Sequence, residues 1–214
     1  MLKESTLHYL HTTESSLSAE ELAKVDEAIE DVMSHAEPRT IHRIFPLKET
    51  DGILSVDANI NMNYPDLQAH LLGCEACLFI AGTLGVMIDK RLKYVSHTDM
   101  AKYVLMDAAA SALVEETLDH LEASLPIERT TFRYSPGYGD VPLSLQKELL
   151  AVLDTQRRIG LAVTPRHLMV PTKSISGFVG IGAIRKVRTC EGCQMFEKCE
   201  FRRNNTRCYQ VNEE

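Results

Sequence analysis

The spacing of apolar residues changes near residue 40, and this change restricts the chain to a mixed fold of helices and strands. Ser18 and Glu21 form a capping-box pattern, and apolar residues then recur at helical spacing to about Ala36. Residues 40–57 instead carry short β-like apolar runs, interrupted by the hairpin signal of Asp51 followed by glycine. The pattern predicts a helix followed by an antiparallel hairpin, and so favours the α+β class.

The middle of the chain continues this alternation. Residues 60–63 alternate in polarity and are predicted to lead into a strand, and Pro65 is predicted to open a short helix. Residues 77–95 are mostly apolar and are predicted to be helical. A longer helix is predicted from a cap at Asp99 to about Leu125.

The last third of the body is predicted to return to strands around one further helix. Residues 130–134 read as a strand, and Asp140 is predicted to cap the helix that follows, with Pro142 in its first turn. Residues 161–170 and 178–184 read as strands, the second of them paired inside a sheet.

Composition and length exclude several classes of protein. The chain has 214 residues, of which 44% are hydrophobic and 25% charged, and these values are typical of a soluble globular protein. Its longest apolar stretch, residues 77–88, is too short to span a bilayer, and its first residues do not form a secretory signal. We therefore expect a cytoplasmic protein without a membrane partner. The net charge of -7 disfavours nucleic acid as a partner.

A change of composition near residue 185 divides the chain into a body and a tail. Of the 23 basic and 30 acidic residues, seven basic and five acidic ones lie in residues 185–214. The body is therefore acidic and the tail basic. We predict one domain over residues 1–184 and a separate cysteine-rich tail over residues 185–214.

Four of the six cysteines lie in the tail, and their clustering favours a metal site. They are Cys190, Cys193, Cys199 and Cys208. Clustered thiols in a cytoplasmic protein bind metal more often than they form disulfides, so a zinc ion or an iron–sulfur cluster is expected. A redox-active or disulfide-bonded tail and a set of unrelated thiols are the alternatives.

The other two cysteines, Cys74 and Cys77, form a C-x2-C pair in the body. Such a pair at the start of an element can be redox-active or can bind a metal. Because no second pair lies near it in the sequence, we expect instead that both thiols are small buried residues.

Residues 133–142 contain several residue types that a plain turn does not need. Two prolines fix φ, two glycines permit backbone conformations that other residues avoid, and Arg133, Tyr134 and Tyr138 stand among them. A rigid turn beside a guanidinium suits a ligand that carries a carboxylate and a flat ring. An ordinary surface turn before a helix is the alternative.

This loop also resembles a known motif. Arg133 to Tyr138 reads R-Y-S-P-G-Y, which is similar to the R-x-x-P-G-Y motif of the reactivation domain of cobalamin-dependent methionine synthase. Residues 169–177 read M-V-P-T-K-S-I-S-G, which is similar to that family's second motif, M-x-P-x-x-S-x-S-G. A looser match surrounds Glu115, and the whole resemblance spans roughly residues 74–181.

The resemblance implies an α+β fold, in which helices flank a twisted antiparallel sheet, and a site for S-adenosylmethionine. Arg133 would bind the ligand carboxylate, a tyrosine would contact the adenine or the sulfonium, and Glu115, with Asp119 as its rival, would offset the sulfonium charge. The residues implied in cofactor binding are Arg133, Pro136, Gly137, Tyr138, Glu115, Ser174, Ser176 and Gly177.

The family's role implies an accessory component rather than an enzyme with its own catalytic side chain. In that role the domain docks over an oxidised cobalamin, and methyl transfer from S-adenosylmethionine traps the reduced cobalt. The sequence shows neither a methyl-transfer region nor a cobalamin-binding region, so we expect a partner to carry the cobalamin, either a separate methionine synthase or another corrinoid protein. A flavodoxin or ferredoxin is the expected electron donor, and an iron–sulfur cluster in the tail would be a local one.

The sequence departs from the family at two further places. It has no clear counterpart of an N-terminal aspartate–tryptophan segment or of a tyrosine pair after the second motif, so those contacts are not carried over. A metal- or redox-regulated interaction module with a vestigial pocket is the alternative function. An independent methyltransferase is disfavoured, because no glycine-rich Rossmann loop follows a predicted strand.

Overall fold

The computed structural model describes residues 2–182 and 197–203. Its helices are α1 (Leu2–Tyr9), α2 (Ala19–His35), α3 (Pro65–Leu71), α4 (Val86–Thr98), α5 (Met100–Ser124), α6 (Leu145–Leu153), α7 (Thr155–Arg158) and α8 (Glu200–Arg203), with one 3-10 turn at Glu14–Ser16. Its strands are β1 (Arg39–Pro46), β2 (Lys48–Thr50), β3 (Ile53–Ser55), β4 (Ala76–Thr83), β5 (Ala162–Val163), β6 (Met169–Val170) and β7 (Ser174–Ile181).

Three strands form the main sheet in the order β1-β4-β7, and both pairings are antiparallel. The segment 130–134 lies along the other side of β7, but only through two isolated bridges, Thr130 with Ile181 and Tyr134 with Phe178. The predicted strand over this segment is therefore only partly formed. The bridges bring the loop that begins at Arg133 to the edge of β7.

Helices cover both faces of the sheet. On one face, Leu145 and Leu149 of α6 share a core cluster with Phe79 and Phe178 of the sheet. On the opposite face, Leu118 of α5 packs against strands β4 and β7. Helices α2 and α4 pack on α5 through a further apolar cluster. The predicted α+β fold, an antiparallel sheet with flanking helices, is confirmed.

The largest correction concerns residues 77–95, which we predicted to be helical. The structure divides them into strand β4 and helix α4, separated by a turn at Gly85, whose φ is +82°. β4 is the middle strand, and seven of its eight residues are fully buried. A strand buried on both faces is apolar throughout, so its sequence lacks the alternation that would distinguish it from a buried helix.

Three smaller predictions also need correction. Residues 60–63 are irregular, and residues 161–170 form the short hairpin β5–β6 rather than one strand. Asp140 does not cap α6, which begins after Ser144. It pairs instead with Asp66 of α3, because each carboxylate accepts a hydrogen bond from the other residue's backbone N–H, at 3.2 and 2.9 Å.

Local capping and turn signals predicted their elements correctly. Ser18 and Glu21 form the capping box of α2, and the side chain of Asp99 accepts a hydrogen bond from the N–H of Lys102 at the start of α5. The turn between β2 and β3 is made by Asp51 and the glycine after it, both with positive φ.

In the described ranges, no helix has the length and apolar character needed to cross a membrane. The predicted domain boundary near residue 185 falls within residues 183–196, which are outside the described residues.

Candidate functional site

Arg133 is almost completely buried and is surrounded by three carboxylates. Its side chain is 6% exposed. Nε donates to Oε1 of Glu122 at 2.9 Å, Nη1 donates to Oε2 of Glu115 at 2.9 Å, and Nη2 donates to Oδ1 of Asp119. The three acids follow one another by four and three residues, so they lie on one stripe of α5. We call these four residues the Arg133 cage.

The cage carries more negative than positive charge. Burial opposes the ionised guanidinium, but the three carboxylates outweigh this effect and raise the pKa of Arg133. At Glu122, burial outweighs the attraction of Arg133 and raises the pKa of the carboxyl group. The side chains of Glu115 and Asp119 remain 39% and 64% exposed. The surplus negative charge is therefore accessible from the surface.

Gly177 of the second motif contributes to the cage because glycine has no side chain. A Cβ at Gly177 of β7 would lie 2.8 Å from Cγ of Arg133 and 3.0 Å from the carbonyl oxygen of Tyr134. Both distances are shorter than packed protein atoms normally allow. Gly177 thus leaves the space in which the stem of Arg133 runs from the bridging segment towards α5. The two sequence motifs meet in this volume.

The loop after Arg133 is held by its own backbone. The N–H of Gly137 donates to the carbonyl of Val141 at 2.9 Å, and the N–H of Tyr138 donates to the carbonyl of Ser135 at 3.0 Å. Gly137 has a φ of +95°, which a residue with a side chain would adopt only with strain. These bonds make a closed turn with a fixed shape.

The same loop is tied to helix α3. Asp66 and Asp140 exchange the two hydrogen bonds described above. Between them, a Cβ at Gly139 would collide with the carboxylate of Asp66 and with the hydroxyl of Tyr134. Gly139 therefore allows α3 to approach the loop closely.

Two tyrosines of the loop differ in exposure. Tyr134 is 8% exposed, and its ring centroid lies 4.9 Å from that of His70 and 5.6 Å from that of Tyr138. Burial, together with the charges of Asp66 and Asp140, raises the pKa of Tyr134 to about 12. Tyr138 is 44% exposed. Tyr138 is therefore the tyrosine whose ring is available to a ligand.

The two serines of the second motif have different surroundings. The hydroxyl of Ser174 donates to the carbonyl of Pro171 at 2.7 Å and lies 2.8 Å from the hydroxyl of Thr83. The hydroxyl of Ser176 is buried and has no hydrogen-bond partner among the residues that the structure describes. Because a buried polar atom without a partner is costly, Ser176 is the serine with bonding capacity for a ligand or a water.

The structure thus joins Arg133, Glu115 and Gly177 directly, and Asp119 proves to be a companion of Glu115 at the guanidinium. Pro136, Gly137 and Tyr138 form the adjacent turn.

Two residues of the site, Glu122 and Asp66, were not predicted from the sequence. Glu122 could have been found, because it lies seven residues after Glu115 and so on the same helical stripe. Asp66 gave no local signal, because its partner is 74 residues away.

Neither Cys74 nor Cys77 forms a disulfide with another residue that the structure describes. Cys77 is fully buried in β4, and burial raises the pKa of its thiol. The Sγ of Cys74 fills the place that a side chain at Gly180 would take. Within residues 2–182 and 197–203, no group of three or more metal-binding side chains occurs. The expectation of a buried thiol is met at Cys77, whereas Cys74 is only half-buried.

The predicted metal site of the tail lies mostly outside the described residues. Cys190, Cys193 and Cys208 are not described, whereas Cys199 is half-buried and its carbonyl accepts a hydrogen bond from the N–H of Arg203. The metal site stays a prediction from the sequence.

Comparisons with known proteins agree with the motifs. Residues 113–186 match the family model described as the vitamin B12 dependent methionine synthase activation domain. Among solved structures, the chain is similar to one described as the crystal structure of the MetH reactivation domain bound to AdoHcy. The TM-score is 0.59 at 14% sequence identity, and the similarity covers 88% of this chain and 74% of that one. No curated protein matches the chain. The resemblance to the reactivation domain is confirmed in sequence over residues 113–186 and in fold over most of the chain.

Proposed function

We propose that the chain binds S-adenosylmethionine between the Arg133 cage and the loop at residues 134–142, and that it supports reductive methylation of a cobalamin carried by a partner protein. The proposal rests on the matched activation-domain family and on the fold shared with a reactivation domain whose structure contains AdoHcy. AdoHcy is the thioether that remains when S-adenosylmethionine has given up its methyl group.

The observation that carries the proposal is the surplus of carboxylates around Arg133. S-adenosylmethionine has two positive groups, an ammonium and a sulfonium, and one carboxylate. Glu115 and Asp119 are the accessible acids of the cage, so they are placed to accept the ammonium and face the sulfonium. A unit charge pair at 4 Å is worth about 1 kcal/mol in water and about 4 kcal/mol near a protein surface, enough to decide the orientation of the ligand.

Arg133 has two tasks in this proposal. It holds the acids of the cage in position, and it receives the ligand carboxylate when that group displaces Asp119, the most exposed of the three acids. The released carboxylate of Asp119 then accepts the ligand ammonium. The guanidinium then keeps a carboxylate on each side, so binding leaves no buried cation without its compensating charge.

The remaining predicted residues form the walls of the site. The exposed ring of Tyr138 would stack on the adenine or face the sulfonium, a cation–π contact worth about 0.5–2 kcal/mol. The buried hydroxyl of Ser176, which lacks a partner among the described residues, alternates with Gly177 and so faces away from the cage. It would donate to the part of the ligand that lies against the loop at residues 134–142. Pro136 and Gly137 would fix the turn, and Ser174 would support Ser176 from within β7.

No side chain of the site needs to act as a base or a nucleophile. The methyl group belongs to the ligand and the cobalt to the partner, and the chain contributes binding and orientation. The proposed partners are the cobalamin-bearing part of a methionine synthase or another corrinoid protein, and an electron donor such as a flavodoxin or ferredoxin. We place this activity in the cytoplasm, and we assign the tail cysteines to zinc or an iron–sulfur cluster.

One observation favours the alternative, an interaction module with a vestigial pocket. Three N–H groups of Arg133 already donate to protein carboxylates, as they would in a purely structural ion cluster. Under this alternative, the cage would hold α5 against the sheet and bind no ligand.

Isothermal titration calorimetry with S-adenosylmethionine separates the two functions. We expect saturable binding by the unaltered protein, and loss of binding in Glu115→Gln combined with Asp119→Asn, which keeps Arg133 and Glu122. A matched control is Glu116→Gln, an acid on the same helix outside the cage. If S-adenosylmethionine does not bind the unaltered protein, the proposal is wrong.

A second experiment tests the reaction. The protein is mixed with a purified cobalt(II) corrinoid protein, S-adenosylmethionine and a reductant, and the conversion to methylcobalt is followed by visible absorption. We expect conversion to depend on all of these components. Equal conversion without the protein would rule out the reactivation function, even if the ligand binds.

A further inference from the structure

A cleft separate from the Arg133 cage lies between the edge strand β1 and the end of α6. Its volume is about 340 Å³. It is lined by Ile41, His42 and Arg43 of β1, by Val152 and Leu153 of α6, and by Asp154 and Arg158 after that helix. We call it the β1 cleft.

The cleft lies where α6 ends beside β1, which leaves a gap at the edge of the sheet. Asp154, directly after α6, has a φ of +52°, and this left-handed residue redirects the chain into the short helix α7. Phe45 of β1 shares a core cluster with α6, so the side chains at positions 41, 43 and 45, which alternate with those at 42 and 44, lie on the α6 side of the sheet. Arg43 thus projects into the gap that the helix leaves.

The cleft has a surplus of positive charge. The guanidinium of Arg43 lies over the ring of Phe45, with its carbon 4.8 Å from the ring centroid. Among the side chains that the structure describes, no carboxylate forms an ion pair with Arg43. Arg158 approaches Asp154 at 3.8 Å, but both side chains are well exposed, so the pair is weak. Arg133, by contrast, is bonded to three acids.

We propose that the β1 cleft binds a small organic anion, a carboxylate or phosphate group carried on an apolar body. Arg43 and Arg158 would bind the anionic group from two sides. Ile41, Val152 and Leu153 would contact the apolar part. Because Arg43 is already stacked on Phe45, less of its side-chain freedom is lost when the anion binds.

Size and charge both favour a small molecule over a macromolecule. The volume of the cleft is within the range of about 300–1,000 Å³ that is usual for small-molecule sites. Residues 1–184 hold 16 basic and 25 acidic residues, so the net charge of this part of the chain disfavours an extended polyanion such as nucleic acid. A single anionic group would meet the two arginines without contact with the rest of that surface.

The proposal is tested with four probes, namely phenyl phosphate, benzoate, inorganic phosphate and benzyl alcohol, in titrations followed by calorimetry and by NMR shifts. We expect phenyl phosphate or benzoate to saturate the protein, and the tighter of the two identifies the anionic group. We expect inorganic phosphate to bind more weakly, benzyl alcohol not to bind, and added salt to weaken the anions. The double variant Arg43→Gln with Arg158→Gln should lose at least tenfold in affinity.

Arg157→Gln is the matched control, because this neighbouring arginine does not line the cleft. It should bind the probes as the unaltered protein does. The substituted arginines are exposed, so the melting temperature should change little, and S-adenosylmethionine binding should be unaltered in the double variant. The proposal is wrong if neither aromatic anion saturates below about 10 mM, or if Arg157→Gln loses as much affinity as the double variant.

Discussion

Two ion clusters of the molecule are opposites of each other. In the Arg133 cage, one buried cation is bonded to three acids. The second cluster, which we call the Asp31 hub, is centred on the carboxylate of Asp31, which is 9% exposed. This carboxylate accepts two hydrogen bonds from Arg91, at 2.6 and 2.9 Å. It also forms an ion pair with Lys102 at 2.7 Å and lies 3.2 Å from Nδ1 of His35. The cage has surplus negative charge, and the hub has surplus positive charge.

The two clusters also differ in the elements that they connect. Asp31 and His35 lie on α2, Arg91 lies on α4 and Lys102 lies on α5, so the hub joins three helices. Hydrogen bonding by Arg91, and then by Lys102, holds the pKa of Asp31 well below its usual range. The acids of the cage, by contrast, all belong to α5. Under the proposed function, the hub contributes to stability alone, whereas the cage also binds the ligand.

The most direct way to break the comparison is to remove the central cation of the cage. Arg133→Ala leaves three carboxyl groups close together without their counter-charge. We expect a loss of about 4 kcal/mol in the free energy of unfolding, together with loss of S-adenosylmethionine binding. Urea denaturation and calorimetry measure the two effects.

Arg133→Lys is the companion variant. It keeps the charge but not the planar set of donors that bonds three acids, so it should recover part of the stability and little of the binding. If Arg133→Ala retained the stability of the unaltered protein, the cage would not be the buried ion cluster described here.

Removing the central anion of the hub is expected to have the next largest effect. Asp31→Asn should lower the free energy of unfolding by about 3 kcal/mol, since the nearly buried carboxylate loses its charge-assisted hydrogen bonds to the half-buried Arg91 and Lys102. S-adenosylmethionine binding should stay the same in the variant at a temperature where it is folded. A loss of binding as large as the loss in Arg133→Ala would contradict the division between the two clusters.

The hub also predicts a dependence on pH. The folded-state pKa of Asp31 is lowered, so its stabilisation is fully present above the unfolded-state value of about 3.9 and is lost as the pH falls from there towards the folded-state value. The difference in unfolding free energy between the unaltered protein and Asp31→Asn should therefore be constant from about pH 5 to 7 and shrink below about pH 4. Urea titrations across this range measure it, and a constant difference at low pH would contradict the assignment.

Gly177→Ala sharpens the comparison by changing the cage without changing its charge. The added methyl group would contact Arg133 at 2.8 Å, so we expect a loss of about 2 kcal/mol from overpacking and a displaced guanidinium. Binding should weaken in parallel. Gly52→Ala is a control for the loss of a glycine, because nothing lies within 4 Å of its added Cβ, although its positive φ adds some strain.

The smallest expected effect comes from removing one exposed charge. Glu115→Gln should weaken S-adenosylmethionine binding about tenfold, which corresponds to about 1.4 kcal/mol, and should weaken AdoHcy binding less, because AdoHcy lacks the sulfonium charge. The unfolding free energy should change by less than about 0.5 kcal/mol. Equal losses for both ligands in calorimetry would show that Glu115 does not face the sulfonium.

The features that could be predicted from the sequence are those whose causes are local. Ser18 and Glu21 interact within one helical turn, Asp51 and Gly52 adopt their own turn geometry, and Asp99 caps the helix that begins one residue later. Each signal depends on residues that are neighbours in the chain. Such elements formed where the sequence indicated.

The features that were missed depend on distant partners. β4 has its strand structure because β1 and β7 pair with it on both sides, and its apolar sequence alone does not report that pairing. Asp140 bonds Asp66 rather than a helix end, for the same reason. In the site, the motifs identified Arg133 and Gly177, but they did not indicate that Gly177 leaves the space for the side chain of Arg133. That relation requires the bridges between residues 130–134 and β7.

The three acids of the cage lie along one side of α5 and bond one guanidinium, so they favour one rotation of the helix about its own axis. Each residue of an α-helix turns by about 100° relative to the one before it. One alanine inserted after Ala112 would therefore rotate the whole row away from Arg133 while leaving the amino-terminal half of α5 in place. Because the acids can bond the guanidinium of Arg133 in only one rotation of α5, this single side chain selects that rotation for the long helix.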